Sequence, residues 1–191
     1  MQHLTPARPN GHLLALGSLI LMAGLTACTG TTPAVSASPR PSPSGAAASA
    51  KPPLTAAALD TDACEHFDKG PAAPVVATAT AAAGPLVSKA HTRFDITLSA
   101  GNQASYVRYA SSKAGDMVFY LNKPVPLAVT DDAGKVVTPS RSATSVGPCG
   151  TIQARHQVNL GVGTYTLKLG PTAETAAQFV AISTDDTGEE K

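Results

Sequence analysis

From about residue 75 to residue 182 the chain repeats one pattern: short runs alternating apolar and polar side chains, punctuated by Gly, Pro, Asn and Asp roughly every ten residues. Strict period-2 alternation is the mark of strands with one face buried, and closely spaced turn signals leave too little chain between strands for helical crossovers. Strands are expected over 75–80, 91–98, 105–109, 116–121, 127–130, 135–138, 152–160, 163–169 and 178–182. In 91–98, Phe94, Ile96 and Leu98 share a face opposite Arg93, Asp95 and Thr97. The run 116–121 is apolar on both sides, with Met117, Phe119 and Leu121 against Val118 and Tyr120, as suits a central strand covered on both faces. A hairpin is expected where 127–130 meets 135–138 across Asp131, Asp132, Ala133 and Gly134, since Asp bonds its own backbone in turns and Gly supplies a positive φ. Eight or nine such strands predict an all-β fold, a single antiparallel β-sandwich of jelly-roll type. No helical period is legible after residue 60; the Ala-rich segment 78–83 is the one place where a short helix is expected.

The N-terminal part follows other rules. A weakly basic start precedes an apolar segment at 13–25, which ends in Leu25, Thr26, Ala27 and Cys28. At about 13 residues the segment matches a signal-peptide core and falls short of the ~20 residues that span a bilayer. The order of charge, apolar run, small residues and Cys resembles the lipobox of bacterial lipoprotein signal peptides. That resemblance implies removal of residues 1–27 and acylation of Cys28. It also implies attachment to the cell membrane or outer membrane with the domain facing periplasm or exterior. Thr29, next to the Cys, resembles the outer-membrane class. Residues 28–59 are nearly all Ala, Pro, Ser, Thr and Gly, with Arg40 and Lys51 the charged residues. Such a stretch buries too little apolar surface to offset its ordering entropy and is expected to be a disordered linker. The folded domain is then expected over 60–183, with a short acidic tail at 184–191.

Cysteine arithmetic agrees with this division. With Cys28 carrying lipid, Cys64 and Cys149 remain as an even pair in an oxidising compartment, where a disulfide is the default and a pair of metal thiolates the rival. Lys and Arg number 14 against 13 Asp and Glu in the whole chain. That balance speaks against nucleic acid as a partner and against a polybasic membrane patch.

The strand order resembles the β-sandwich of pre-peptidase C-terminal domains. The residues that carry the resemblance are Asp116 to Leu121, the segment Leu127 to Gly134 with its acidic-Gly turn, and Gly163 to Leu169 with its Gly-x-Tyr start. It implies binding to matrix or secretion partners. The cysteine pair departs from that pattern.

Motifs for catalysis are missing: the sequence contains no Gly-x-Ser-x-Gly, no phosphate-cradling Gly loop and no His-Glu-x-x-His. The expectation is a non-enzymatic binding or structural module without a cofactor, presenting end loops to an envelope protein or glycan. The alternative is a Cu or Zn protein in which His66, His91 and His156 converge, neutral imidazole being the commonest nitrogen ligand. Glu65 with Asp68 as a carboxylate dyad, and Asp131 with Asp132 as Ca²⁺ ligands, are weaker alternatives; turn chemistry alone accounts for the latter pair. Tyr106, Tyr109 and Tyr120 are expected in the core rather than as a sugar platform.

Overall fold

The computed structural model describes residues 53–185. The leader, Cys28, nearly all of the linker and the last residues of the tail lie outside the described residues.

Two sheets pack face to face. A six-stranded sheet has the order β1-β3-β11-β5-β9-β8, and a five-stranded sheet the order β2-β4-β10-β6-β7. The strands are β1 Ala72–Val76, β2 Leu86–Val87, β3 Arg93–Thr97, β4 Ser105–Ser111, β5 Gly115–Leu121 and β6 Leu127–Asp131. They continue with β7 Val136–Val137, β8 Arg141–Thr144, β9 Ala154–Leu160, β10 Gly163–Leu169 and β11 Ala176–Ser183. The all-β sandwich expected from alternation is what forms. Its pairings are antiparallel except at one edge of each sheet, where β1 joins β3 and β2 joins β4 in parallel. Phe94, Ile96, Val107, Phe119, Leu121, Val129, Leu167 and Phe179 fill the space between the sheets. The hairpin of β6 and β7 closes as expected: Asp131 Oδ1 accepts from the backbone of Ala133 at 3.0 Å and Lys135 at 2.8 Å. The Ala-rich segment holds a single 3-10 turn at Ala81–Ala83.

The sequence reading missed a 14-residue helix, α1, over Ala56–Lys69. The boundary expected between residues 59 and 60 falls inside it. Thr55 caps its start by accepting from the Ala58 N–H at 3.3 Å. It ends at Gly70, whose φ of +74° few other residues would adopt. Leu59, Asp60, Ala63, Cys64 and Phe67 form the buried stripe, at the i, i+4, i+8 spacing of one helix face. That stripe lies on the outer face of the six-stranded sheet, against Val118, Tyr120, Val180 and Ile182. The domain therefore has three layers, and the middle sheet is buried on both sides. This is why β5 reads as apolar throughout.

Two bonds tie the helix down. Cys64 and Cys149 are joined by a disulfide that closes a separation of 85 residues. Arg93, at the start of β3, donates through Nη1 to the Phe67 carbonyl at 2.7 Å while pairing with Asp95. At the other end the Leu54 N–H donates to the Thr184 carbonyl, and the Thr184 N–H to Asp116. Thr184, the first residue of the expected acidic tail, is thus pinned to the sheet.

Candidate functional site

The helix decides which titratable groups meet. Asp62 and His66 stand one turn apart on its flank, beside the buried stripe, and both point toward the loop that leads into β3. His91 comes from that loop. Its backbone sits at φ +52°, in the left-handed region that is uncommon for a residue with a Cβ. The His91 N–H donates to the Ala181 carbonyl at 3.4 Å, which anchors the loop to β11.

Three side chains converge here. His66 Nε2 lies 2.8 Å from His91 Nδ1. Asp62 reaches both rings, Oδ1 at 3.3 Å from His66 Nε2 and Oδ2 at 3.2 Å from His91 Nδ1. The imidazoles are mostly buried, at 16% and 15% side-chain exposure, and Asp62 at 31% is the group that reaches solvent. Hydrogen bonds from His66 and then His91 hold the Asp62 carboxyl well below the usual carboxylate range, against the opposing effect of burial. His66 Nδ1 faces away from the cluster, 3.5 Å from the Gly70 carbonyl.

His156 does not join them, which corrects the three-histidine arrangement. In the β5–β9 register it stands opposite Phe119, on the face turned to the other sheet, whereas α1 covers the reverse face. The strand alternation that places Ala154 and Val158 in the inter-sheet core turns His156 to the same face, where it is half-buried. Its Nδ1 meets Ser142 Oγ at 2.9 Å, its Nε2 is buried without a hydrogen-bond partner, and burial lowers its pKa. Asp62 was not singled out from the sequence. Its signal was the Asp-x₃-His spacing, which acquires meaning only once residues 56–69 are known to be helical.

Other groups resolve into structural roles. Beneath α1, Tyr120 donates to Asp60 Oδ1 at 2.9 Å and Arg155 Nη1 lies 3.6 Å from the same oxygen, a buried polar cluster inside an apolar layer. Burial, then the bond to Asp60, pushes the Tyr120 hydroxyl far up, so it remains a donor at any physiological pH. Glu65 and Asp68 are exposed on the helix and no dyad forms. Asp131 is occupied by its turn and Asp132 is exposed. Tyr109 and Tyr120 are buried as expected, and Tyr106 is half-buried. Gly147, Pro148, Cys149 and Gly150 form the loop that carries the disulfide, with Gly147 at φ +88° beside Cys64.

One end of the sandwich carries a cleft of about 550 Å³, bordered by Ser88, Lys89, Ser111, Lys113 and Asp185. Ala90 and Thr92, which flank His91, also line it. No protein-family model matches the chain, and no curated protein matches it.

Proposed function

We propose that this chain is a bacterial envelope lipoprotein, anchored through acyl chains on Cys28, that displays a non-enzymatic β-sandwich as a binding module. The observation that carries the reading is the partition of the three cysteines. Cys64 and Cys149 are bonded to each other, and the remaining one follows an apolar segment and the small pair Thr26 and Ala27. A disulfide of this kind belongs to an exported protein. Among the described residues no helix is long and apolar enough to cross a membrane. Two or three chains on one residue make the attachment stable, each buried CH₂ contributing ~0.8 kcal/mol. The working surface is the end where the cleft opens, formed by loops near residues 88–92 and 111–115 and by Asp185. The partner is an envelope protein or glycan, and a chain of balanced charge has no electrostatic reason to select nucleic acid. Expression of Cys28→Ala tests the anchor. Release of the variant into the soluble fraction, with loss of the acyl mass that the parent chain carries, is the expected result. A variant that stays with membranes, or a parent chain whose Cys28 bears a free thiol, overturns the reading.

A further inference from the structure

We propose that Asp62, His66 and His91 form a binding site for one divalent late transition-metal ion, Zn²⁺ by the chemistry of the donors. The cluster is built from two separate pieces of chain, the flank of α1 and a loop held at positive φ, and both aim donor atoms at a single point.

Proton counting is the first argument. His66 Nε2 and His91 Nδ1 lie 2.8 Å apart, and a different oxygen of the Asp62 carboxylate stands beside each, Oδ1 3.3 Å from His66 Nε2 and Oδ2 3.2 Å from His91 Nδ1. Each nitrogen carries at most one proton in the cluster. If both are protonated, two N–H groups oppose each other across the 2.8 Å contact. If only one is, the bare nitrogen faces a carboxylate oxygen lone pair to lone pair. If neither is, all three contacts are repulsive. With Asp62 ionised, no placement of protons on the two nitrogens makes all three contacts attractive. A cation near the middle does so at once, because every atom then directs a lone pair at positive charge.

Geometry and donor chemistry are the second. Ligands ~2.0–2.1 Å from a tetrahedral Zn²⁺ lie about 3.3–3.4 Å from one another. Each nitrogen has an Asp62 oxygen within about 0.2 Å of that distance, a different oxygen in each case, so the carboxylate needs to turn to present one oxygen to both, and the His–His distance needs to open by about 0.5 Å. Two imidazoles and one carboxylate suit Zn²⁺ and Cu²⁺, while Ca²⁺ and Mg²⁺ require more oxygens. The Gly70 carbonyl lies 3.5 Å from His66 Nδ1, on the side where a metal-bound imidazole carries its outer N–H. Three protein ligands leave a fourth position for water or an incoming ligand, on the side where Asp62 is exposed.

The ion would act as a clasp. It would join α1 to the loop before β3 through Asp62 and His66, on either side of Cys64, whose disulfide secures the same helix to residue 149. Metal binding therefore stabilises the helix layer.

Titrate the full chain, purified in detergent and stripped with chelator, with Zn²⁺ by calorimetry, and with Ca²⁺ and Mg²⁺ in parallel. The expected result is one Zn²⁺ per chain, a rise in Tm on loading, and no response to Ca²⁺ or Mg²⁺. Affinity should fall at least 100-fold in Asp62→Asn, His66→Gln and His91→Gln and stay within twofold in His156→Gln. Far-UV circular dichroism of each metal-free variant establishes that it is folded. Cu²⁺ should compete for the same single site and be lost in the same three variants. Failure of Zn²⁺ to bind the folded parent chain overturns the proposal, as does binding that survives all three folded variants or that depends on His156. The outcome is independent of the fate of Cys28.

Discussion

Severing the link between Cys64 and Cys149 tests how the helix layer is held. The bond spans 85 residues, from the middle of α1 to the loop before β9. In the chain-entropy treatment a closed loop of that size withdraws ~15 cal/mol/K from the unfolded ensemble, or about 4.5 kcal/mol at 25 °C, and measured losses usually fall between about 2 and 5 kcal/mol. The domain has about 130 residues, so its unfolding entropy near the midpoint is ~0.27 kcal/mol/K and a loss of 2–4.5 kcal/mol lowers Tm by about 7–17 °C. Alanine is the right replacement, because Cys64 is buried among Leu59, Phe67 and Ile152 and a serine would bury an extra hydroxyl. Calorimetry of Cys64→Ala/Cys149→Ala against the parent chain reads the shift, and guanidinium titration reads the mechanism. If the crosslink acts on the unfolded state, the double variant has a larger m-value as well as a lower midpoint. A Tm within about 2 °C of the parent and an unchanged m-value would refute the reasoning.

Three further substitutions probe groups around the middle sheet. Asp60→Ala removes the acceptor of Tyr120 and the counter-charge of Arg155, leaving a mostly buried guanidinium alone, and should cost about 3–5 kcal/mol. Tyr120→Phe removes only a hydrogen bond to a carboxylate, about 1.5–3 kcal/mol, so equal losses in denaturant titrations of the two variants would show that Arg155 does not depend on Asp60. For His156, burial lowers the folded pKa, so below the ordinary imidazole value of ~6.5 the unfolded chain binds the proton that the folded chain refuses. Stability should therefore be fully present above ~6.5 and fall as pH drops from there toward the lowered folded pKa. His156→Gln should flatten that slope, and a stability profile that matches the parent's at every pH would contradict the assignment.

The legible parts of this molecule share one property: their surroundings are encoded locally. Alternation in Phe94, Ile96 and Leu98 reports a strand with one buried face because a strand's faces are set by its own backbone. The Asp131 turn is legible for the same reason. Edge strands β2 and β8 were missed because they are two and four residues long, and all four residues of β8 are exposed, so no alternation exists to be read. The helix was missed because its sequence, AAALDTDACEHFDK, continues the Ala-rich composition of the linker. Its buried stripe also mixes Leu59 and Phe67 with Ala63, Cys64 and Asp60, which dilutes the apolar period. Yet its existence was implied at a distance. Val118, Tyr120, Val180 and Ile182 point away from the inter-sheet core, and every one of them is fully buried. A sandwich of two sheets has only one inner face per sheet, so apolar runs on both sides of β5 and β11 demand a third layer. Among the described residues, α1 is the element that fills it. The cluster of Asp62, His66 and His91 depends on that layer entirely, since Asp62 and His66 share a flank only on a helix, and His91 meets them from the loop that leads into β3. The chemistry of this domain is thus assembled by the one element whose own sequence looks least like structure.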